Sequence, residues 1–290
     1  NRNKVVSLDT DNSSVEKTFR VGSETNIVTK TIPGEAIGQY WGYQVIGRFN
    51  TATDFYYKDD NGTVKPVALP KGVSIGESGA YIGDYIFADL NNDGVIDNND
   101  CTFIGNPEPK FTYGVGNTFS WKGFDLTIFL SGSYGNDVMN YNRRYIEDVR
   151  SNTNLLTSVL DYARISKIDP NGPDDYRNLY VSGGSKTMPR LSASSANGNT
   201  RVSDLYIEDG SYLRIQNISL GYTFPTKWLS KSPITGLKIY ANLQNVYTFT
   251  KYSGYDPEIG YMYGDALMSG LDYGRYPTPR IYTFGLNVSF

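Results

Sequence analysis

FTYGVGNTFSWKGFDLTIFLSGSY, residues 111–134, decides the fold. Tyr113, Val115, Phe119 and Trp121 share one face, with only Asn117 breaking the row. Thr112, Gly114, Gly116, Thr118 and Ser120 share the other. After a short turn at Lys122-Gly123 the pattern resumes. Phe124, Leu126, Ile128, Leu130 and Tyr134 alternate with Asp125, Thr127, Phe129, Ser131 and Ser133. A side-chain period of two is the mark of a β-strand.

Three further runs repeat it. Ile218, Leu220, Tyr222 and Phe224 alternate with small and polar residues. Leu237, Ile239, Ala241 and Leu243 alternate with Lys238, Tyr240, Asn242 and Gln244. Tyr282, Phe284, Leu286, Val288 and Phe290 form the final row. A tilted strand crosses a bilayer in about 9–11 residues, close to the length of each run. A soluble sandwich also alternates. What favours an all-β transmembrane antiparallel barrel is the placement of aromatics at the row ends, and connections that alternate between short and very long. Trp121–Gly123 and Pro225–Gly236 are compact, whereas Gly135–Ser211 and Lys251–Pro279 are long. With Phe290 at the periplasmic side, both long loops and the stretch before Phe111 lie outside the cell. Trp121, Phe124, Phe224 and Trp228 then form the inner aromatic girdle. Such long structureless loops are expected on a barrel and unusual inside a compact soluble domain.

Composition narrows the function. The 290 residues carry a net charge of -3 and no basic block, which argues against nucleic acid as partner. Tyr (25) and Gly (30) are abundant and His is absent. Without His no Ser-His-Asp nucleophile and no His-ligated zinc can be built, so an enzyme is not expected. The single Cys101 cannot form an internal disulfide and reads as a small buried residue. No run approaches the roughly 20 apolar residues of a membrane helix. NRNKVVSL (1–8) reads like the end of a strand and its loop, which suggests a fragment whose front half is missing. In the first hundred residues, Gly38–Phe49 and Gly79–Ala88 look like strands, and Asp60-Asn61-Gly62 like a hairpin turn.

DLNNDGVIDNND, residues 89–100, matches the calcium-loop pattern with Asp at the last position instead of Glu. Oxygens of Asp89, Asn91 and Asp93 would converge on a hard cation, Gly94 would permit the sharp turn, and Val95 would offer its carbonyl. Asp97 would act through water and Asp100 would close the ring. The expected role is to rigidify an outer loop with structural calcium. The alternative is an Asn/Asp-rich turn with no ion.

Several segments resemble the SusC/RagA-like TonB-dependent outer-membrane transporters of Bacteroidetes-type bacteria. They are GEAIGQYWGYQVIGRFN (34–50), the stretch from Gly83 to Gly135, DGSYLRIQNISLGYTFP (209–225), LKIYANLQNVYTFTKYSGYDPEI (237–259) and YPTPRIYTFGLNVSF (276–290). The resemblance implies that residues 1–290 are the C-terminal portion of a 22-strand barrel, with the plug domain not present in this chain. It implies a bacterial outer-membrane location in contact with lipid, a SusD-like lipoprotein lid, and energy from a TonB-ExbB-ExbD complex acting through the plug. It further implies active import of an oligosaccharide, or a peptide.

Loop 251–279 supplies the candidate substrate contacts. Tyr252, Tyr255, Tyr261, Tyr263, Tyr273 and Tyr276 lie near Asp256, Glu258, Asp265 and Asp272. Aromatic faces could stack on sugar rings while carboxylates take hydroxyls. The same tyrosines could instead pack loops together or face the lid. In loop 135–211, Tyr141, Arg143, Arg144 and Tyr145 are candidates for lid or ligand, since Arg and Tyr are favoured at interface centres. Asp174-Asp175 is a poor glycosidase pair, because adjacent carboxylates seldom oppose each other across a bond. Three rival readings stay open: an ungated receptor or porin, a soluble calcium-binding carbohydrate-active β protein, and a purely structural surface protein.

Overall fold

A computed structural model describes residues 1–290 apart from 2, 10–12, 22, 23, 152 and 195. Its long sheet has five strands, each antiparallel to its neighbour in the sheet order. The first to fifth wall strands are Phe111–Trp121, Phe124–Tyr134, Tyr212–Thr223, Gly236–Thr250 and Ile281–Ser289. The register carries the apolar face across all five strands, interrupted at Asn117. Phe119, Leu126, Leu220, Ala241 and Phe284 stand at one level; Asn117, Ile128, Ile218, Leu243 and Tyr282 stand at the next.

A bulge keeps that face continuous. Leu130 pairs with Ile215 and Phe129 with Asn217, so Gln216 is the extra residue. The fourth strand answers with Asn245 in the left-handed region (φ 52°). Counted strictly in twos, Leu213 and Ile215 belong with Asn217 and Ser219. The extra residue returns them to the row of Ile218 and Leu220. At Gly132 the Tyr113 ring lies where a Cβ would sit, and its hydroxyl donates to the Tyr212 carbonyl at 3.2 Å.

Much of the apolar row is exposed. Phe284 is 78% exposed, Leu286 61% and Phe119 59%. Aromatics gather at both rims of the sheet. Phe124, Tyr222, Phe224 and Trp228 form a chain of ring contacts 4.5–6.1 Å apart at the short-turn rim. Phe111–Tyr134 and Tyr247–Phe249 lie at the other, at 5.3 and 4.7 Å.

The long connections are not structureless, contrary to the sequence expectation. They fold with residues 1–110 into a packed mass at the second rim. One sheet there runs Val15–Val21, Glu24–Thr31, Gln39–Gly42 and Thr102–Gly105. Its core joins Phe19, Val28 and Tyr40 to Met139, Tyr141, Val202, Met268 and Leu271, from all three long stretches. A second core stacks Phe49 on Phe55 at 4.0 Å, with Ala80, Ile82 and Leu179. A third holds Ala68, Tyr85, Phe87 and Ile96. None of the described residues among 1–8 lies in a strand; Val5 exchanges backbone bonds with Gly34 and Glu35 instead. The 38–49 run breaks into Gln39–Gly42 and Val45–Arg48, and only Tyr85–Phe87 of 79–88 is a strand. The expected hairpin forms between Tyr56–Lys58 and Val64–Pro66. Its turn is closed by Asp59, which accepts from Asn61 and Thr63 N–H.

Candidate functional site

The polar row of the third wall strand ends near the packed mass at Arg214, which is buried. A guanidinium is forked and always charged, so burial demands several acceptors. Arg214 finds Thr248 Oγ1 at 2.9 Å, Glu258 Oε2 at 2.6 Å and Asp256 Oδ1 at 2.6 Å. Thr278 Oγ1 donates to the other Asp256 oxygen at 2.7 Å. Burial opposes ionisation of Asp256. The Thr278 and Glu258 hydrogen bonds and the Arg214 charge outweigh it, so its carboxyl titrates below its ordinary value. The cluster pins both arms of the 251–280 segment to the sheet.

That geometry revises the expected substrate carboxylates. Asp256 and Glu258 are held by Arg214, Asp265 pairs with Lys17 at 2.7 Å, and Asp272 accepts from Tyr252 at 2.5 Å. Tyr252 itself is buried, and burial together with the Asp272 carboxylate pushes its hydroxyl pKa up. It is a structural residue of the loop. Tyr255, Tyr261, Tyr263 and Tyr273 remain exposed, as does Tyr276. Tyr273 rests edge-on against Phe19 at 5.3 Å and Tyr145 at 6.0 Å. Tyr263, at φ 53°, is 83% exposed and lies 6.2 Å from Phe19. Five of the six candidate tyrosines therefore present accessible ring surface.

The 135–211 candidates are used within the mass. Tyr141 is buried. Arg144 is also buried and meets Glu24 at 2.7 Å. Arg143 meets Glu147 and Glu208. Glu208 also accepts from Asn140 Nδ2 and from Ser253 N and Oγ, tying all these stretches together. Arg190 pairs with buried Asp84 at 2.8 Å, a link with no local sequence signal. Asp174 meets Lys167 at 2.7 Å and Asp175 meets Arg177 at 2.8 Å. Cys101 is a free, half-buried thiol.

The 89–100 loop has the turn its sequence requires. Gly94 sits at φ 83°, and Asp89 accepts from the Asp93 and Gly94 amides at 3.2 and 2.9 Å. Val95 N–H reaches Asp93 Oδ1 at 2.9 Å, and Asn99 N–H reaches Asp97 at 2.8 Å. Asp100 is fully buried. Its two oxygens take the Leu90 and Asp97 amides at 2.9 and 2.8 Å, so it latches the loop's ends directly. Asn91 Nδ2 points at Asp93 Oδ2, 2.8 Å away. Among the described residues, no three Cys, Asp or Glu side chains are gathered closely enough to hold a metal. Asp100→Ala leaves the Leu90 and Asp97 amides without their acceptor and should cost on the order of 1–3 kcal/mol. Urea unfolding in calcium-free buffer measures this.

No protein-family profile matches the chain. TonB-dependent receptor P3 of Formosa agariphila is 31% identical over 100% of this chain and 26% of its own length. Receptor P39 of the same organism is 30% identical over 89% of the chain and 25% of its own length. TonB-dependent receptor SusC of Bacteroides thetaiotaomicron is 28% identical over 71% of the chain. The RagAB peptide importer in its open-open state superposes at a TM-score of 0.60, with 18% identity, over 99% of this chain and 25% of that one. A second RagAB peptide transporter structure gives 0.56 over 96%. The chain thus spans about a quarter of the length of the first curated relatives it matches.

Proposed function

The chain belongs to the SusC/RagA-like TonB-dependent receptors of the bacterial outer membrane, and from this premise we propose that it forms the last wall strands and part of the outer mouth of an active nutrient importer. The observation that carries the proposal is the five-strand sheet. Its apolar row is largely exposed, its other row is polar, and a packed mass sits at one rim. Such a row suits a wall that faces lipid, and this favours the importer over the soluble carbohydrate-active reading.

The proposed mechanism is gated transport. Ligand binds between the outer mass and a SusD-like lipoprotein lid. A TonB-ExbB-ExbD complex pulls on a plug domain belonging to the longer protein. A path opens past the polar face of the wall, and the ligand enters the periplasm. The cargo is an oligosaccharide, or alternatively a peptide. Exposed Tyr255, Tyr261, Tyr263 and Tyr273 supply flat apolar faces suited to either a sugar ring or a side chain. Deleting the full-length gene should abolish growth on the cargo glycan or peptide while leaving growth on its monomers intact. Normal growth on the polymer would sink the importer reading. Tyr261→Ala with Tyr263→Ala should weaken ligand binding on the order of tenfold or more, as loss of stacked aromatic area implies. Titration calorimetry of the purified transporter reads this directly.

Calcium in the 89–100 loop is proposed on the spacing of Asp89, Asn91, Asp93, the Val95 carbonyl, Asp97 and Asp100, and on the turn at Gly94. The donor set is all oxygen, as a hard cation requires. The ion would stiffen an outer loop and take no part in transport chemistry. Calorimetric titration with calcium should give heat that a chelator removes and that Asp89→Ala abolishes. A silent titration counts against it.

A further inference from the structure

Arg143, Arg144, Arg150 and Arg190, buried or half-buried in the outer mass, and Arg214 at the rim of the wall each meet a carboxylate at 2.6–3.1 Å. Arg201 does not: among the described residues no ion pair involves it. It is half-buried, and its guanidinium lies over the rings of Tyr43 at 4.9 Å and Phe87 at 5.6 Å. The ring contacts restrain the guanidinium, and among the described residues no carboxylate takes its N–H groups. Arg201 also stands where two open clefts meet, of about 690 and 380 Å3, whose shared wall is Tyr43, Asn98, Asn99 and Arg201.

We propose that Arg201 binds a carboxylate carried by the imported solute. The neighbouring groups suit that charge. Lys30 lines the larger cleft and Lys71 the smaller, and the exposed Asn98 and Asn99 add amide donors. The acidic residues on the walls are engaged: Glu16 holds Lys30 at 2.9 Å, and Asp97 accepts from Asn99 N–H. A planar carboxylate meets a stacked guanidinium through two parallel N–H bonds, so the site reads geometry as well as charge. The clefts are open and have room for a saccharide or peptide residue around the acid group. The inference rests on the importer reading in one respect, that the carboxylate arrives on a solute.

The test uses the full-length transporter in detergent and four probes. Trigalacturonate and Glu-Glu-Glu carry carboxylates on sugar and on peptide; maltotriose and Gln-Gln-Gln are their neutral counterparts. At least one acidic probe should bind more tightly than its counterpart, less so as salt rises. Arg201→Gln should weaken that binding about ten- to a hundredfold, as expected for a charge-assisted pair, and leave the neutral probes unaffected. Whichever acidic probe responds names the source of the acid. Arg201→Lys keeps the charge without the fork and should fall between; it also serves if the Gln variant fails to fold. Equal losses for acidic and neutral probes, or none for either variant, overturn the proposal. So does an Arg201→Gln protein that is less stable, or loses its lid, yet binds acid normally, since a protein carboxylate then occupies the fork. Failure of the importer reading shows separately, as cells that take up the cargo without this protein.

Discussion

Replacing Arg214 by Met should free both arms of the 251–280 segment while leaving the wall intact. The substitution strands Asp256 at a buried position with no counter-charge, and breaking one side of such a pair costs about 3–5 kcal/mol. Amide hydrogen exchange at residues 254–259 and 275–279 should accelerate by several orders of magnitude, with wall-strand protection unchanged. Adding Asp256→Leu should restore part of the protection, because it removes the orphaned charge. Acid should act in the same direction. Asp256 titrates below its ordinary value, so the clamp is intact at neutral pH and is lost only as pH falls through the lowered value. Unchanged exchange in the Met variant would mean that the Met268 and Leu271 side of the loop holds it without help.

The second large effect separates the two faces of the wall. Ile128 and Thr127 are adjacent, and both lie near mid-strand. Ile128→Lys places a charge on the lipid row and should cost about 2–4 kcal/mol at the bilayer midplane. Thr127→Lys, on the row shared with Thr118 and Ser219, should be close to neutral. Urea unfolding of the full-length protein from lipid vesicles gives both values. Equal costs would mean that the faces are assigned wrongly.

The wall was legible because lipid selects residues one by one. Every second side chain must be apolar, and the period survives without knowledge of any partner. Strand ends fell within a residue or two of those observed. The bulge at Gln216 was not legible, because it breaks the period it preserves in space. In the outer mass most strands are two to five residues long. Their burial depends on residues far away in the chain, such as Tyr40 with Asp137 and Ser269, 97 and 229 positions off. No local pattern reports that. The tyrosines show the same limit: Tyr252 and Tyr263 are identical as letters, yet one is buried on Asp272 and the other is 83% exposed. Arg214 left a readable trace, a charge within a strand row followed by acids after the next strand, but those acids were assigned to ligand. Arg201 left none, since its meaning lies in what it does not touch.

The first core of the outer mass sets an order of assembly. Phe19 and Val28 are made early in this chain, yet Met268 and Leu271 finish their packing. Closing contacts over such separations is slow. Until the last loop arrives, the early hairpin has apolar side chains open to water and prone to aggregate. Periplasmic holdase chaperones should therefore be needed most for this part of the polypeptide. Truncations ending before residue 268 should be degraded rather than accumulate half-folded at the cell surface.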